Sequence, residues 1–510
     1  MVVVGSKEDV ARVVRFVGER KVWLSVRSGG HSYSCTSSRS EGLQLDMRGL
    51  RSVELVQTER SSTGWAVRLG PGASWQEVLD QVSPAHWTVV HGQCLAVGVG
   101  GFTLGGGVNM VGTTARYGAA MEQVIQYQLV TARGEIITLD QEALTFPEGV
   151  AEDDPRKGTD LLFGLRGAGA SFGVVTEFLV KVYPVPETLA SVIPVWVSSL
   201  TDLTRLEAVA RGEEGGGYQF GLYSLYYSKA VREPWSHPLL ASSQYLARLK
   251  AWWENQPGVP LILSVADIRS GAGRRTNTSQ VMELLQSAGV RLVFSSHLLL
   301  DSLSQEAGAL GMLDYEGEYL TPSQRQSVGA QGLVSANLGG IQSIASLSDV
   351  LLHHDIFGNN KKVGLTLQGV RTNLWSRQFT NQALAAGCNY CFWAINFQTR
   401  PVRSAGDRIS LTRSVGNIQT ELTCKYTVAE KGQCRKEVEK VRERLLAASL
   451  EEGGEDSQYV NTPSCQGDSW PRRYFGDNYH KLLSLKRLWD PSNLFNYCQS
   501  IGSTSNTCCQ

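Results

Sequence analysis

The spacing of apolar residues predicts that helices and strands are mixed from the beginning of the chain. Ser6 and Asp9 resemble a capping box, and Val10, Val14 and Val17 follow at helical spacing. Alternating apolar residues predict strands at residues 21–26, 43–47, 65–69, 87–90, 124–130, 135–139 and 174–182, and residues 74–82 predict a capped helix.

A proline-rich segment at residues 183–186 interrupts this pattern and predicts a domain boundary. After it, extended aromatic-rich runs alternate with polar helical segments, which predicts a sheet with helices on one face. These runs are residues 191–197, 218–227, 261–266, 292–300 and 390–397. Near the end, Asn478 is expected to cap a helix that Asp490 and Pro491 stop, with strand-like residues 495–501 after it.

Composition and charge point to a small-molecule ligand. The 510 residues are enough for two or three domains with buried cores. Lys and Arg number 48 and are balanced by 48 Asp and Glu, so no nucleic-acid or anionic membrane surface is expected. No apolar run reaches the roughly 18 residues of a membrane span. The amino terminus of the chain as given has charges where a signal peptide is apolar, so it is not expected to be one.

Cysteine and histidine spacing does not predict a metal site. Eight of the ten cysteines lie in the last quarter of the chain, which permits disulfides without requiring them. Cys388 and Cys391 lack a second pair at zinc-finger spacing. His353 and His354 precede an aspartate, but adjacent side chains rarely converge on one ion, so we interpret this run as a solvated turn.

One stretch, residues 92–107, sets Cys94 beside several glycines. Glycine lacks a Cβ atom, so it lets backbone N–H groups turn and approach a flat or anionic ligand closely. We interpret the stretch as a cradle for a phosphate or a ring rather than as a flexible linker, because Val97, Val99 and Leu104 stand among the glycines at strand spacing. The glycines are Gly98, Gly100, Gly101, Gly105, Gly106 and Gly107.

Two further turns have the same character. Residues 27–32 follow a predicted strand and carry Arg27 and His31, and residues 166–173 form a second glycine turn before a strand. A strand that runs into a glycine turn is a usual construction of a phosphate site. Neither the G-x-G-x-x-G spacing of a nicotinamide fold nor the GK[ST] of a P-loop occurs, so those two cofactor classes are excluded.

Four motifs together resemble a known family. They are RSGGHS at 27–32, G-x-C-x-x-V-G-V-G-G at 92–101 with GGG at 105–107, RG to FGVVTE at 166–177, and YFG-x-NY-x-x-L at 474–482 with DP-x-N-x-F at 490–495 and QSI at 499–501. In this order they resemble the FAD-linked oxidoreductases of the vanillyl-alcohol oxidase superfamily, in its berberine bridge enzyme-like branch. The similarity covers residues 2–186 and 455–501, and the middle of the chain resembles the family only loosely.

The resemblance implies an α+β protein with three segments. Residues 1–186 would form a PCMH-type FAD-binding domain of two α/β subdomains, and residues 187–454 a substrate-binding domain with an antiparallel sheet backed by helices. Residues 455–510 would be a berberine-bridge-type segment that returns to the FAD domain. The family also implies that a first helix and strand, and in many members a secretion signal, precede the point where this chain begins, so a secreted or lumenal location is an expectation.

The resemblance further implies FAD attached covalently through two side chains. His31 would bond the 8α-methyl carbon of the isoalloxazine ring and Cys94 its C6 carbon; a neutral imidazole and a thiolate suit attack on the electron-poor ring. The other cofactor-binding residues that it implies are Arg27, Ser28, Gly29, Gly30, Ser32, Gly98, Gly100, Gly101, Gly105, Gly106, Gly173, Val175, Asn461 and Asn478.

The catalytic base is the weakest point of the resemblance. Thr462 stands where many members have a catalytic tyrosine, and Asn417 where some have a glutamate. The candidates are Tyr459, in the same segment, and Glu421, which shares a face with Gln419 if that stretch is a strand. Tyr459 would need its pKa lowered by a nearby cation, and Glu421 would need its pKa raised by burial.

We therefore expect an oxidase that passes a hydride from an alcohol or an activated C–H carbon of a sugar or secondary metabolite to FAD, and then electrons to O2. A dehydrogenase with another electron acceptor and a flavin protein with decayed catalysis stay open. The sequence does not decide the substrate or the oligomeric state.

Overall fold

The computed structural model describes residues 1–32, 36–39, 41–92, 97–108, 113–184, 190–197, 205, 209, 218–224, 259–267, 278–292, 361–368, 391–397, 410–411, 418–424, 455–457, 459–461 and 469–503. The chain divides into two compact units, and the first is built from three separate segments, Met1–Val185, Arg400–Val415 and Ser457–Gln510. The second comprises Pro186–Thr399 and Gly416–Asp456. Residues 400–415 fall inside the middle range expected from sequence but belong to the first unit.

The first unit contains a small parallel sheet with the strand order Val2–Val3, Leu43–Asp46, Leu24–Arg27. The helix Lys7–Arg20 forms because Ser6 Oγ accepts the backbone N–H of Asp9 at 3.1 Å, which confirms the predicted cap. Its buried residues Val10, Val14 and Val17 pack with Leu45 in one apolar cluster. The apolar residues thus lie on one face of the helix, and this face packs against the sheet.

A second, larger sheet of the first unit is antiparallel. Its order is Val53–Gln57, Trp65–Leu69, Val174–Lys181, Val124–Val130, Ile136–Asp140, Leu144–Thr145. The helix Trp75–Val82 begins with the full capping box of Ser74 and Glu77. The described helices that complete the unit are Val99–Leu104, Thr113–Tyr117, Ala120–Gln123, Leu161–Ala168, Trp470–Phe475 and Asn478–Trp489, and Trp87–Thr88 pairs with Tyr183–Pro184.

The second unit contains an eight-stranded sheet. Its order is Arg291–Leu292, Ala190–Val197, Val259–Asp267, Tyr218–Ser224, Cys391–Phe397, Ile418–Cys424, Lys361–Gln368, Glu455–Ser457. The pairings from Arg291–Leu292 through Lys361–Gln368 are antiparallel. The helix Thr278–Ser287 also belongs to this unit.

Three local expectations differ from the structure. The apolar residues of the glycine stretch have strand spacing, but residues 99–104 form a helix, because Val99, Thr103 and Leu104 bury one helical face. Residues 495–501 form turns, since the carboxylate of Asp490 takes the backbone N–H groups of residues 494 and 495 that a strand would use in pairing. The last long helix begins at Asn478 itself, with Asp477 in the cap position.

Candidate functional site

A cavity of about 330 Å³ lies within the first unit, where several distant parts of the sequence meet. The turn after the strand Leu24–Arg27, the glycine stretch, the second glycine turn and the last segment of the chain all line it. The residues predicted to bind the cofactor that line it are Ser28, Gly29, Gly30, His31, Ser32, Gly98, Gly100, Gly101, Gly105, Gly173, Val175 and Asn461. The four motifs therefore share one space.

The turn at residues 28–32 is held by a hydrogen bond to a neighbouring segment of the chain. Ser28 Oγ donates a hydrogen bond of 2.6 Å to the carbonyl of Pro71. Arg27 does not line the cavity, and its Nε is buried with no hydrogen-bond partner among the described residues. The pKa of the buried Asp46 carboxyl is lowered, mainly by its hydrogen bond from Arg48 and in smaller part by the charge of Arg27. Arg27 thus lies outside the cavity wall, and its charge acts on Asp46 in the neighbouring strand.

The glycines of the wall are required for two different reasons. A Cβ atom added to Gly98 would lie 2.3 Å from the backbone nitrogen of Gly29, and one added to Gly105 would lie 2.0 Å from Asn461 Oδ1. These two glycines let segments of the protein touch. An added Cβ at Gly101 meets none of the described residues outside its own helix within 4 Å, although Gly101 also lines the cavity. None of those residues requires glycine there.

Asn461 and Tyr459 brace the glycine stretch. Asn461 Nδ2 donates to the carbonyl of Phe102 at 3.0 Å and to the Tyr459 hydroxyl at 2.9 Å. The Tyr459 hydroxyl also accepts the backbone N–H of Val108 at 2.9 Å. Gly106 lies against the same ring, with 3.4 Å between its added Cβ and Tyr459 Cε2, and is not among the residues that line the cavity.

The environment of Tyr459 is opposite to what a base requires. Its side chain is 6% exposed, and burial raises the pKa of the phenol to about 12 against weaker lowering by its hydrogen-bond donors. The base role needs a lowered pKa. The structure therefore supports a bracing role for Tyr459 in place of the expected ionisation.

Asn478 does not line the cavity, but it contacts residues that hold one of the cavity walls. Its Nδ2 donates to the carbonyl of Ser410 at 3.3 Å. Ser410 in turn donates to the carbonyl of Arg166 through both its N–H, at 3.0 Å, and its Oγ, at 2.8 Å. Gly167, the next residue, has φ of +117° and lines the cavity. Asn478 reaches the site through this chain of contacts, because residues 410–411 join the first unit from a distant part of the sequence.

Two of the predicted residues cannot be placed in the cavity. Cys94 lies outside the described residues. Glu421 is described by its backbone only: it occupies the strand Ile418–Cys424, opposite Gly364 on one side and Ala394 on the other. That stretch is a strand as predicted, so residues 419 and 421 lie on the same face.

Several residues near the end of the chain line the cavity but were not among those predicted to bind the cofactor. Phe495, Tyr497, Cys498 and Gln499 line the cavity, as does Tyr474, whose hydroxyl donates to Gln499 Oε1 at 2.6 Å. Cys498 is disulfide-bonded. Residues 474, 495 and 499 already stood in the fourth motif, which was the available signal.

The site fits a large flat cofactor with a phosphate-bearing tail. Gly98 lets the glycine stretch pack directly against the turn at 28–30, and Gly101 presents bare backbone to the cavity. The second feature leaves room for a ligand to contact the main chain. Among the described residues, no group of three or more His, Cys, Asp or Glu could hold a metal ion.

Comparison with known proteins agrees with this fit. The model of the FAD-binding domain family matches residues 1–140, and the berberine and berberine-like family model matches residues 458–502. The chain therefore carries the FAD-binding domain and the berberine-like segment of the berberine bridge enzyme-like FAD-linked oxidoreductases, to which it is similar. Its fold is the α+β, PCMH-type fold expected from the motifs.

Two curated relatives illustrate the extent of similarity. FAD-linked oxidoreductase easE of Claviceps purpurea is 27% identical over 98% of this chain and 91% of its own length. (R)-6-hydroxynicotine oxidase of Paenarthrobacter nicotinovorans is 31% identical over 39% of each chain. The first similarity runs through the middle of the chain as well as its ends.

Solved structures resemble the chain in fold. Chitooligosaccharide oxidase has a TM-score of 0.66 at 17% identity, covering 99% of this chain and 91% of the other. Berberine bridge enzyme from Eschscholzia californica has a TM-score of 0.63 at 19% identity, covering 99% and 89%. In the described part of this chain, no helix is both long and apolar enough to cross a membrane.

Proposed function

We propose that this FAD-linked oxidoreductase is an oxidase of an alcohol or activated C–H carbon in a sugar or secondary metabolite. The observation that carries the proposal is the single cavity shared by His31, the glycine stretch and the last segment of the chain. The overall reaction removes two electrons and two protons from the substrate, and O2 becomes H2O2. FAD bound in the cavity would accept the hydride from the substrate carbon.

We propose further that FAD is attached covalently through His31 and Cys94. His31 lines the cavity at the end of a turn that Ser28 ties to Pro71, so its imidazole is presented on a fixed backbone. Cys94 lies five residues before Val99, whose helix contributes glycines to the same cavity. Two attachment points would hold the ring without enclosing it.

The printed names of similar proteins suggest two substrate classes. Chitooligosaccharide oxidase and a xylooligosaccharide oxidase in complex with xylobiose are oligosaccharide oxidases. (R)-6-hydroxynicotine oxidase and a berberine bridge enzyme in complex with (S)-reticuline act on or bind nitrogen heterocycles. We propose that the substrate of this chain belongs to one of these classes.

Between the two candidate bases we favour Glu421. The pKa of Tyr459 is raised to about 12 by burial, and its hydroxyl already accepts hydrogen bonds from Val108 and Asn461. A base within reach of the substrate hydroxyl contributes about 10²- to 10⁴-fold to the rate. Glu421→Gln should therefore slow anaerobic flavin reduction by that factor, whereas Tyr459→Phe should change the reduction rate much less.

A flavin protein with decayed catalysis is the second candidate. Thr462 at the tyrosine position and the raised pKa of Tyr459 favour it, because both remove a proton acceptor from the segment. Equal reduction rates in wild type, Glu421→Gln and Tyr459→Phe would assign proton transfer to another group or to water. Complete absence of reduction would favour the decayed protein.

The first experiment is to purify the flavin-replete protein and precipitate it with acid. A yellow precipitate is expected from wild type and from Cys94→Ala, in which His31 alone would hold the flavin. Anaerobic mixing with panels of oligosaccharides and alkaloids should bleach the flavin with one class, and admission of O2 should release one H2O2 per turnover. A colourless wild-type precipitate would contradict covalent attachment, and reoxidation only by an added acceptor dye would make the protein a dehydrogenase.

A further inference from the structure

The helix Asn478–Trp489 carries two lysines that each pair with an aspartate in contrasting surroundings. Lys481 Nζ lies 3.2 Å from Asp160 Oδ2, and both side chains are 49% exposed. Lys486 Nζ lies 2.7 Å from Asp490 Oδ2, and these side chains are 4% and 0% exposed. A buried ammonium persists only where it is paired and hydrogen-bonded, so the second pair must be held by its surroundings.

Lys486 uses all three of its donors inside the protein. Besides the carboxylate of Asp490, its ammonium donates to the carbonyl of Ser171 at 2.8 Å and to the carbonyl of Phe495 at 3.0 Å. An ammonium has three N–H donors, and each of them has an acceptor here. The two carbonyls are 324 residues apart in the sequence, so one charge joins two distant segments.

Both joined segments form walls of the FAD cavity. Ser171 lies between Ala170 and Gly173, which line the cavity, and its Oγ accepts the backbone N–H of Ile501 at 3.2 Å. Phe495 lines the cavity from the other segment. Its backbone N–H donates to Asp490 Oδ2 at 2.9 Å.

We propose that Lys486 is a positioning residue for the FAD site. Its ammonium, balanced by Asp490, fixes the turn at residues 169–173 against residues 494–501 and so sets the distance between two walls of the cavity. This inference rests on the cavity being the FAD site, and it does not depend on oxidase chemistry. A protein that proves to be a dehydrogenase would leave it intact.

The test measures hydrogen exchange in the holoprotein, not activity. Lys486→Met removes the donors at nearly constant side-chain length, and Lys486→Met/Asp490→Asn avoids leaving one buried charge unpaired. Lys481→Met is the matched control, because it removes the exposed pair from the same helix. In the single variant the amides of Phe495 and Ile501 should exchange roughly 10²- to 4 × 10³-fold faster, the factor implied by breaking a buried pair.

The location of the change distinguishes positioning from general stability. Amides of the strand Val124–Val130, in the centre of the larger sheet, should keep their wild-type exchange rates in the double variant and in Lys481→Met. The visible circular dichroism of the bound flavin should change in both Lys486 variants and not in Lys481→Met, because the ring then lies against displaced walls.

Chemical rescue tests whether the charge itself is needed. In Lys486→Ala, added n-propylammonium should slow exchange at Phe495 and Ile501 toward the wild-type rate, whereas 1-propanol should not. The Phe495 amide donates to Asp490 itself, so Ile501, whose amide donates to Ser171, is the decisive readout in the double variant. Unchanged exchange at Ile501 in a folded double variant would overturn the proposal. A double variant that fails to fold would overturn it too, because the pair would then support the whole unit and not these two walls.

Discussion

At the scale of single residues, Gly101 distinguishes the requirements of protein packing from those of ligand binding. Glycine inside a helix is destabilising by roughly 0.5–1 kcal/mol relative to alanine. Gly101 lies inside the helix Val99–Leu104, and among the described residues no atom outside that helix lies within 4 Å of an added Cβ. Since Gly101 lines the cavity, we expect that glycine at this position serves contact with the cofactor.

Gly101→Ala should therefore raise the free energy of unfolding of the flavin-free protein by up to about 1 kcal/mol while reducing its incorporation of FAD. The helical residue Gly18 also has open space around an added Cβ and is not among the residues that line the cavity, so Gly18→Ala is the matched control. Urea unfolding and flavin absorbance per protein measure both effects. Equal flavin content in the two variants would show that Gly101 has no contact with the cofactor.

At the scale of elements, the second glycine turn depends on a segment from elsewhere in the chain. Gly167 has φ of +117°, which side chains rarely adopt, and a Cβ added there would lie 2.5 Å from Leu411 Cγ. Ser410 holds the preceding carbonyl through two hydrogen bonds. The turn that lines the cavity thus requires glycine at residue 167 both for its backbone conformation and for its packing.

Gly167→Ala should lower the free energy of unfolding by about 2–5 kcal/mol, from left-handed backbone strain and overpacking together. Gly64 isolates the first contribution, because its φ is +74° and none of the residues that the structure describes lies within 4 Å of an added Cβ. Gly64→Ala should cost only about 1–2 kcal/mol in the same denaturant titration. Similar losses in both variants would mean that Leu411 yields and that packing at this turn is loose.

Some elements of the fold could be predicted from the sequence, and others could not. Strands at Trp65–Leu69 and Val124–Val130 were predicted to the residue, because alternation and local turns determine them. The strand spacing of Val97, Val99 and Leu104 did not indicate the helix Val99–Leu104, since six residues are too few for periodicity to separate a helix from a strand. The contacts of Asn478 and Lys486 could not be predicted, because their partners are carbonyl groups brought close only by the tertiary fold.

At the scale of the whole first unit, Arg156 joins the amino-terminal segment of the unit to its last long helix. Its guanidinium donates to Glu135 and, at 2.7 Å, to Asp154 Oδ2, while the side chain is only 1% exposed. It also stacks 5.3 Å from the ring centroid of Trp489, in the last long helix. Trp489 donates from Nε1 to Thr159 Oγ1 at 3.0 Å, which fastens that helix to the same loop.

The ion pairs of Arg156 with Glu135 and Asp154 should make the free energy of unfolding depend on pH in the acidic range. Burial alone would raise the pKa of Glu135, but hydrogen bonds from Arg156 and Thr131 lower it overall, and the hydrogen bond from Arg156 holds the pKa of Asp154 below its usual range. A carboxyl whose folded pKa is lowered stabilises the fold above its unfolded pKa, near 4.5 for Glu135 and 3.8 for Asp154, and loses that contribution as the pH falls through the folded value.

Arg156→Met should therefore reduce stability most at neutral pH, by about 3–5 kcal/mol for a buried pair that loses one partner. The difference from wild type should shrink as the pH falls from about 7 to about 3, because protonated carboxyls no longer need the cation. Arg133→Met is the control: its guanidinium lies 3.8 Å from Asp154 Oδ2 but is 52% exposed, so its loss should change stability little at any pH. Urea midpoints across that range measure the effect, and a constant difference between wild type and Arg156→Met would show that Arg156 acts through its stacking on Trp489 and not through its charge.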